Sequence, residues 1–223
     1  RFSWWFHIIG IFAFLNYLVI SKHLHILFAF PNTYYANLHP KGQLDNLDSV
    51  TKEIKIMMDP NNDPYSNNEV NTVPERFGAK DINDLNWVQI LNAYSCTECG
   101  RCTSECPANI TGKKLSPRKI MMDVRDRVEE YGRNVDNNVS DEKSLLNDYI
   151  TTEELWACTT CNACTEACPI NIDPLSIIVD LRRYLVMEES AAPNELNMMF
   201  SNIENNGAPW QFSSSDRLNW KDE

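Results

Sequence analysis

Residues 96–107 read CTECGRCTSECP and residues 158–169 read CTTCNACTEACP. Each run has the form C-x2-C-x2-C-x3-C-P, and all 8 cysteines of the 223-residue chain fall within the pair. No cysteine is left over as a candidate catalytic thiol. Disulfides suit small secreted chains, but they give no reason for a duplicated run of closely spaced cysteines. Zinc sites usually take two C-x2-C pairs; a third cysteine at the same spacing and a fourth before proline depart from that pattern. The spacing is the one that binds [4Fe–4S] clusters.

The chemistry explains the spacing. A cubane presents four iron corners, each needing a thiolate. Three cysteines separated by two residues wrap a short loop around three corners of one cube. The fourth lies beyond that reach and serves the neighbouring cube, and the proline turns the chain away because it fixes φ and lacks an N–H. One cluster is therefore expected at Cys96, Cys99, Cys102 and Cys168, and the other at Cys106, Cys158, Cys161 and Cys164. Gly100 is expected to let the backbone approach the first cluster, and Arg101, inside the same loop, is a candidate for offsetting its charge.

Outward from the runs the pattern is helical. Asp81 to Tyr94 reads as a helix with Trp87, Ile90 and Leu91 on its apolar face. Ser116 and Pro117 open a helix that should stop at Tyr131, before Gly132. Thr151 and Glu154 form a capping box. Asp173 and Pro174 open a helix burying Ile177, Ile178, Leu181 and Leu185. Pro193 to Asn205 is a further helix, stopped near Gly207. Trp87, Tyr94 and Trp156 read first as plain core and, beyond that, as shields of the clusters and not as conductors. Residues 31–80, rich in Asn, Asp and Pro, read as a linker containing an amphipathic helix from Gln43 to Met58 and a loop from Asp59 to Pro74.

From Phe2 to Ser21 there is no Asp, Glu, Lys or Arg, a length that spans a bilayer core. Trp4 and Trp5 suit one interface and Lys22 can snorkel at the other. A signal peptide fits poorly, because the aromatic-rich run is long and lacks a small-residue cleavage site. Pro31 is expected to end this helix. His7 and His25 lie eighteen residues apart, five full turns, so a continuous helix would place both on one face about 27 Å apart. That arrangement suits axial ligation of two stacked b-type haems, the other ligands coming from another helix. His39 reads as a structural loop residue. Because the chain starts at Arg1 directly before this helix, a longer parent chain or a processed one is expected.

The fold class expected is all-α: a transmembrane helix at 1–30, a linker at 31–80, an α-helical ferredoxin-like domain with two clusters at 81–190, and a C-terminal helix and tail at 191–223. The formal net charge is −11. This argues against nucleic acid as partner and suits a basic docking face on another redox protein.

With the two cysteine runs in view, the chain resembles the C-type iron–sulfur subunits of heterodisulfide reductase and, more broadly, other α-helical ferredoxin domains, over residues 81–190. The segment NIENNGAPWQF, Asn202 to Phe212, is similar to the stretch following the clusters in membrane-bound Fe–S oxidoreductases. The first helix, with His7 and His25, resembles the last haem-bearing helix of nitrate-reductase gamma-type cytochrome b domains. The resemblance implies an electron-transfer subunit between a quinone and b-haem membrane site and a cytoplasmic redox partner. It places the clusters on the cytoplasmic side of the inner membrane, with a flavoprotein or CCG-domain protein and the other subunits of a membrane oxidoreductase as partners. The remaining membrane helices and the CCG repeats are not in this sequence. The alternative is a structural iron–sulfur module of a membrane assembly without redox turnover. No Gly-rich dinucleotide fingerprint supports a self-contained oxidoreductase.

Overall fold

The computed structural model describes residues 1–21, 23–59 and 76–221. Lys22 and all but the first residue of the expected Asp59–Pro74 loop lie outside them. Two compact units result, Arg1–Tyr184 and Leu185–Glu223. In chain order the helices are α1 (Phe2–Val19), α2 (Leu24–Tyr34), α3 (Asp48–Met58), α4 (Trp87–Ser95), α5 (Arg101–Ser104), α6 (Pro107–Ile110), α7 (Pro117–Asp136), the one-turn α8 (Leu145–Asp148), α9 (Thr152–Trp156), α10 (Ala163–Glu166), α11 (Pro174–Met187) and α12 (Asn194–Asn206). Short 3-10 segments cover Ile82–Asp84 and Ser214–Lys221. The fold is all-α: among the described residues the only β feature is an isolated bridge between Leu146 and Ile150.

The apolar N-terminal segment forms two helices instead of one. α1 has no buried residue and is long and apolar enough to cross a membrane. It closes with tight bonds from Ile20 N–H to Tyr17 O and from Ser21 N–H to Leu18 O. The Ser21 hydroxyl donates to Leu18 O and accepts from His23 N–H, so a local side chain takes over bonds that a continuous helix would make. α2 then begins, and it runs through Pro31 instead of ending there. Its packing on α4 offsets the bond that proline forfeits: Phe28 meets Tyr94 and Tyr35 meets Trp87, ring edge to face, with centroids 6.3 and 4.7 Å apart.

The expected linker is thus partly built into the first unit. Buried Asn32 donates to Ile170 O just beyond the second cysteine run, Lys41 pairs with Glu166, and Arg183 donates to Asp45 O. Gly78 and Ala79 lie on α11, with Ala79 N–H bonded to Asp180 O at 3.0 Å. The helix expected at Gln43 starts only at Asp48, and Leu44, Ile54 and Met57 stay exposed.

The helix expected from Asp81 also divides. Asp84 and Asp81 close a capping box around the 3-10 turn, and Asn86 caps α4 through a second box with Gln89. Trp87 is exposed, and the buried side of α4 is polar: Gln89, Asn92 and Ser95, with Ala93. Each polar group has a partner. Gln89 donates to Asp180 at 2.7 Å, Asn92 donates to Val88 O and accepts from Asp173 N–H, and Ser95 donates to Leu91 O. Satisfied polar groups can be buried where apolar ones were expected.

The other caps follow the sequence: Ser116 on α7, Thr151 with Glu154 on α9, and Asp173 on α11, whose Oδ1 accepts from Leu175 and Ser176 N–H. α7 continues past Gly132 to Asp136. Ile120, Met121 and Val124 of α7 are buried, as are Ile177, Ile178, Leu181 and Leu185 of α11. In the second unit, α12 ends at Gly207 with φ 63°, the left-handed stop that glycine supplies.

Candidate iron–sulfur centres

The two cysteine loops repeat in backbone as well as in sequence. The residue before the second cysteine is left-handed in both, Glu98 at φ 60° and Thr160 at 55°. So is the residue after it, Gly100 at 82° and Asn162 at 60°. A Cβ at Gly100 would meet no protein atom within 4 Å, so the visible demand there is the positive φ, which Asn also tolerates. This curl turns backbone N–H groups inward, as in anion-binding nests. Thr160 N–H donates to Cys158 Sγ at 3.4 Å, and Glu98 N–H does the same for Cys96.

A second repeated feature does not follow from the cysteine spacing. The threonine after the third cysteine stands at its thiol in both loops: Thr103 at Cys102 and Thr165 at Cys164. The matching CT in CTSEC and CTEAC is its signal in the sequence. Each hydroxyl is itself anchored, Thr103 against the Ser116 hydroxyl at 2.9 Å and Thr165 on Asp173 at 3.3 Å. The capping residues of α7 and α11 thereby fix polar groups at the cluster loops.

α5 packs against α10, so the loops face each other. Burial pushes the Cys96 thiol up, and Cys102, Cys168 and Cys99 lie close enough for their charges to add to the shift. Cys102 is raised by burial and then by Cys168 and Cys99. In the other loop, Cys158 is raised by burial and feels Cys106 and Cys161. Cys164 is pushed up to about 12 by burial, with a further contribution from Cys158. The fourth cysteine of each run thus stands with the first cysteines of the other run.

Cys96, Cys99, Cys102 and Cys168 line a cavity of about 260 Å³ together with Cys164, His25, Ala29 and Pro169. Among the described residues no three ligand side chains converge on a single-ion position. Thiolates sharing one zinc stand only about 3.8 Å apart, given Zn–S bonds near 2.3 Å. Thiols spread around a cavity suit a four-iron cube instead. Donor type, number and spacing therefore fit two [4Fe–4S] clusters, and with thiols held up by burial, loading must release protons.

Charged groups around the loops were largely invisible in sequence. Arg125 pairs with Glu98 at 2.7 Å. Arg182 of α11 donates from Nε to Leu155 O at 3.0 Å and from Nη2 to Cys158 O at 2.6 Å, with its guanidinium 4.9 Å from the Trp156 ring centroid. Arg101 and Arg118 reach the first cavity as exposed side chains.

The histidines separate. His7 is exposed on α1 and His39 lies in the loop after α2. His25 lies on α2, at the cavity with Cys96, Cys99, Cys102 and Cys168. α1 ends at Val19 and α2 begins at Leu24, so His7 and His25 stand on two helices and not on one.

Residues 95–172 match the 4Fe-4S dicluster domain model. This dicluster domain spans both loops and the helices between them, and it stops just before the α11 cap. Over 99% of its length the chain is 32% identical to the "Probable iron-sulfur-binding oxidoreductase" of Bacillus subtilis, of which it covers 33%. It is 32% identical over its whole length to the EtfAB:quinone oxidoreductase of Syntrophomonas wolfei, covering 31% of that protein. A "Probable membrane-anchored ferredoxin" of Chromohalobacter salexigens is 33% identical over 65% of this chain and 24% of its own. The C-type iron–sulfur subunits of heterodisulfide reductase, the resemblance the motifs carry, match as well over part of the chain. The chain spans about a third of the length of the first two relatives. It is a homologue of iron–sulfur oxidoreductases and of a membrane-anchored ferredoxin, consistent with the uncovered α1.

Proposed function

We propose that the chain is the electron-relay part of a membrane oxidoreductase, working between a quinone and b-haem membrane site and a redox partner on the cytoplasmic side. One observation carries this reading: α2, directly after the membrane-length α1, sets His25 and Ala29 at the cavity of Cys96, Cys99, Cys102 and Cys168. A route from the membrane therefore meets that centre first. Cys106, Cys158, Cys161 and Cys164 hold the second centre, towards the partner. Bound clusters supply reversible one-electron exchange.

The chain's own residues hold the thiols, bury Cys106 while leaving Cys99 and Cys161 exposed, and aim backbone N–H donors at sulfur, the groups that set potentials. His7 and His25 are the haem ligands of this proposal, which rests on the resemblance of this segment to nitrate-reductase gamma-type domains and not on one continuous helix; such a domain would supply the opposing ligands. The name of the Syntrophomonas relative supports a quinone at the membrane end. A flavoprotein or CCG-domain protein is the partner class at the other end, and the acidic chain suits a basic docking face.

Low-temperature EPR of the dithionite-reduced protein tests the relay. Reducible cubane signals with about eight iron atoms per chain are expected for two four-iron clusters. Absence of any such signal, with iron well below that, would sink the proposal. The haem assignment predicts a b-type α band in reduced-minus-oxidised spectra of membranes holding the complete protein. His7→Ala and His25→Ala should each remove one haem, and full retention in both refutes it.

A further inference from the structure

Arg182 differs from the other arginines near the centres. Arg125, at the first loop, is neutralised by Glu98. Among the described residues Arg182 makes no ion pair, and its donors go to the backbone oxygens of Leu155 and Cys158. The Trp156 ring covers its guanidinium. Its charge acts on Cys158, whereas the charges acting on Cys96 and Cys102 come from other cysteines. Arg101 and Arg118 at the first cavity are exposed, so solvent and salt screen them. A half-buried guanidinium is screened less and stays protonated.

We propose that Arg182 is a positioning residue that clamps the loop of Cys158 and holds a fixed positive charge against the second centre, raising its reduction potential and drawing electrons towards it. The inference rests on the crossed cysteine assignment and on the relay reading. The exchange concerned moves one electron between the two centres and no proton. A positive charge beside a cluster favours the reduced, more negative state. The two carbonyls need a planar fork that lysine lacks, so a lysine here would be a mobile, hydrated charge at a less fixed distance.

Redox titration followed by EPR on the complete membrane protein tests this, with Arg182→Gln, Arg182→Lys and Cys161→Ser. The signal altered by Cys161→Ser identifies the second centre. Arg182→Gln should lower that centre's potential by about the 59 mV of a tenfold change in a one-electron equilibrium, leaving the other unmoved. Arg182→Lys should shift it about threefold in the same direction. If Arg182→Gln fails to load the second centre, the lysine variant decides: a shift confined to that centre supports the proposal. Potentials unmoved in every loaded variant, or equal shifts at both centres, overturn it. Failure of the relay reading would look different, as clusters in the parent protein that cannot be reduced at all.

Discussion

The Thr165 hydroxyl stands at the Cys164 thiol and donates to Asp173, the cap of α11. Hydrogen bonds to cluster sulfur stabilise the reduced state. Thr165→Val keeps the shape and removes the hydroxyl dipole beside the sulfur, so the potential of its centre should fall by a few-fold in equilibrium terms, within the ~59 mV of one tenfold step. Thr103→Val should do the same at the other centre. EPR-monitored titration of each variant checks this, and unchanged potentials would show the hydroxyls to be anchors only. Gly78 carries a different demand. Its φ is +76°, and a Cβ there would lie 2.3 Å from Asp180 O and 2.5 Å from Tyr184 N on α11. Backbone cannot yield as a flexible side chain can. Gly78→Ala is expected to cost about 2–3 kcal/mol by overpacking and φ strain together, measured as a lowered denaturation midpoint.

At the scale of elements, α7 is held by one buried cation. Arg127 is 1% exposed. It binds Asp81 through Nε and Nη2 at 2.9 and 2.6 Å, Asp141 at 2.7 Å and Lys143 O at 2.5 Å. One side chain thus fastens the entry to the cluster domain and the segment before α8 onto α7. Arg127→Ala leaves carboxylates facing a void and should cost about 3–5 kcal/mol, read as loss of thermal stability before any change in cluster potential. Acid acts through the same kind of contact. The Arg127 hydrogen bond holds the Asp141 carboxyl below its ordinary value. At Glu154 burial pulls upward but is outweighed by Thr151 N–H, Lys119 and the Thr151 hydroxyl, and the net shift is down. Carboxyls depressed on folding stabilise fully above their unfolded values, about 4, and lose that contribution as pH falls through the depressed folded values. The far-UV unfolding midpoint should therefore decline from about pH 5 towards about pH 3. Glu154→Gln should start lower and decline less.

For the whole molecule, α1 and α2 are separable although they are adjacent in sequence. α1 buries nothing, whereas α2 packs on α4 and ties Asn32 to Ile170 O. Removal of residues 1–21 should release the chain from membranes yet preserve cluster iron and EPR line shape. Removal of residues 1–35 should also destabilise the centre at Cys96, Cys99, Cys102 and Cys168. Iron content and membrane partition of the two truncations check this, and equal behaviour would mean that α2 is a tether like α1.

The centres were legible because their ligand spacing is local: three thiols per loop follow from bond lengths and the size of the cubane, and the caps at Ser116, Thr151 and Asp173 are equally short-range. The all-α class followed from the same periodicities. Contacts between distant residues were not legible. No spacing rule places Arg127 on Asp81 and Asp141, Arg182 on the Cys158 loop, or Gln89 and Asn92 on α11 and its cap. The interior of α4 is polar beside its half-buried Ile90 and Leu91, because Asp180 and the Asp173 N–H satisfy Gln89 and Asn92 from a distance while Leu91 O satisfies Ser95 locally. The passage of α2 through Pro31 also required the packed structure: local rules favour a helix stopped at proline, and contact with α4 outweighs them. The sequence by itself determined eight thiols in two matched loops and a membrane-length apolar helix. Only the tertiary structure decided which charges reach the loops and that α2 carries His25 to the first, since such proximity depends on the folding of the whole unit.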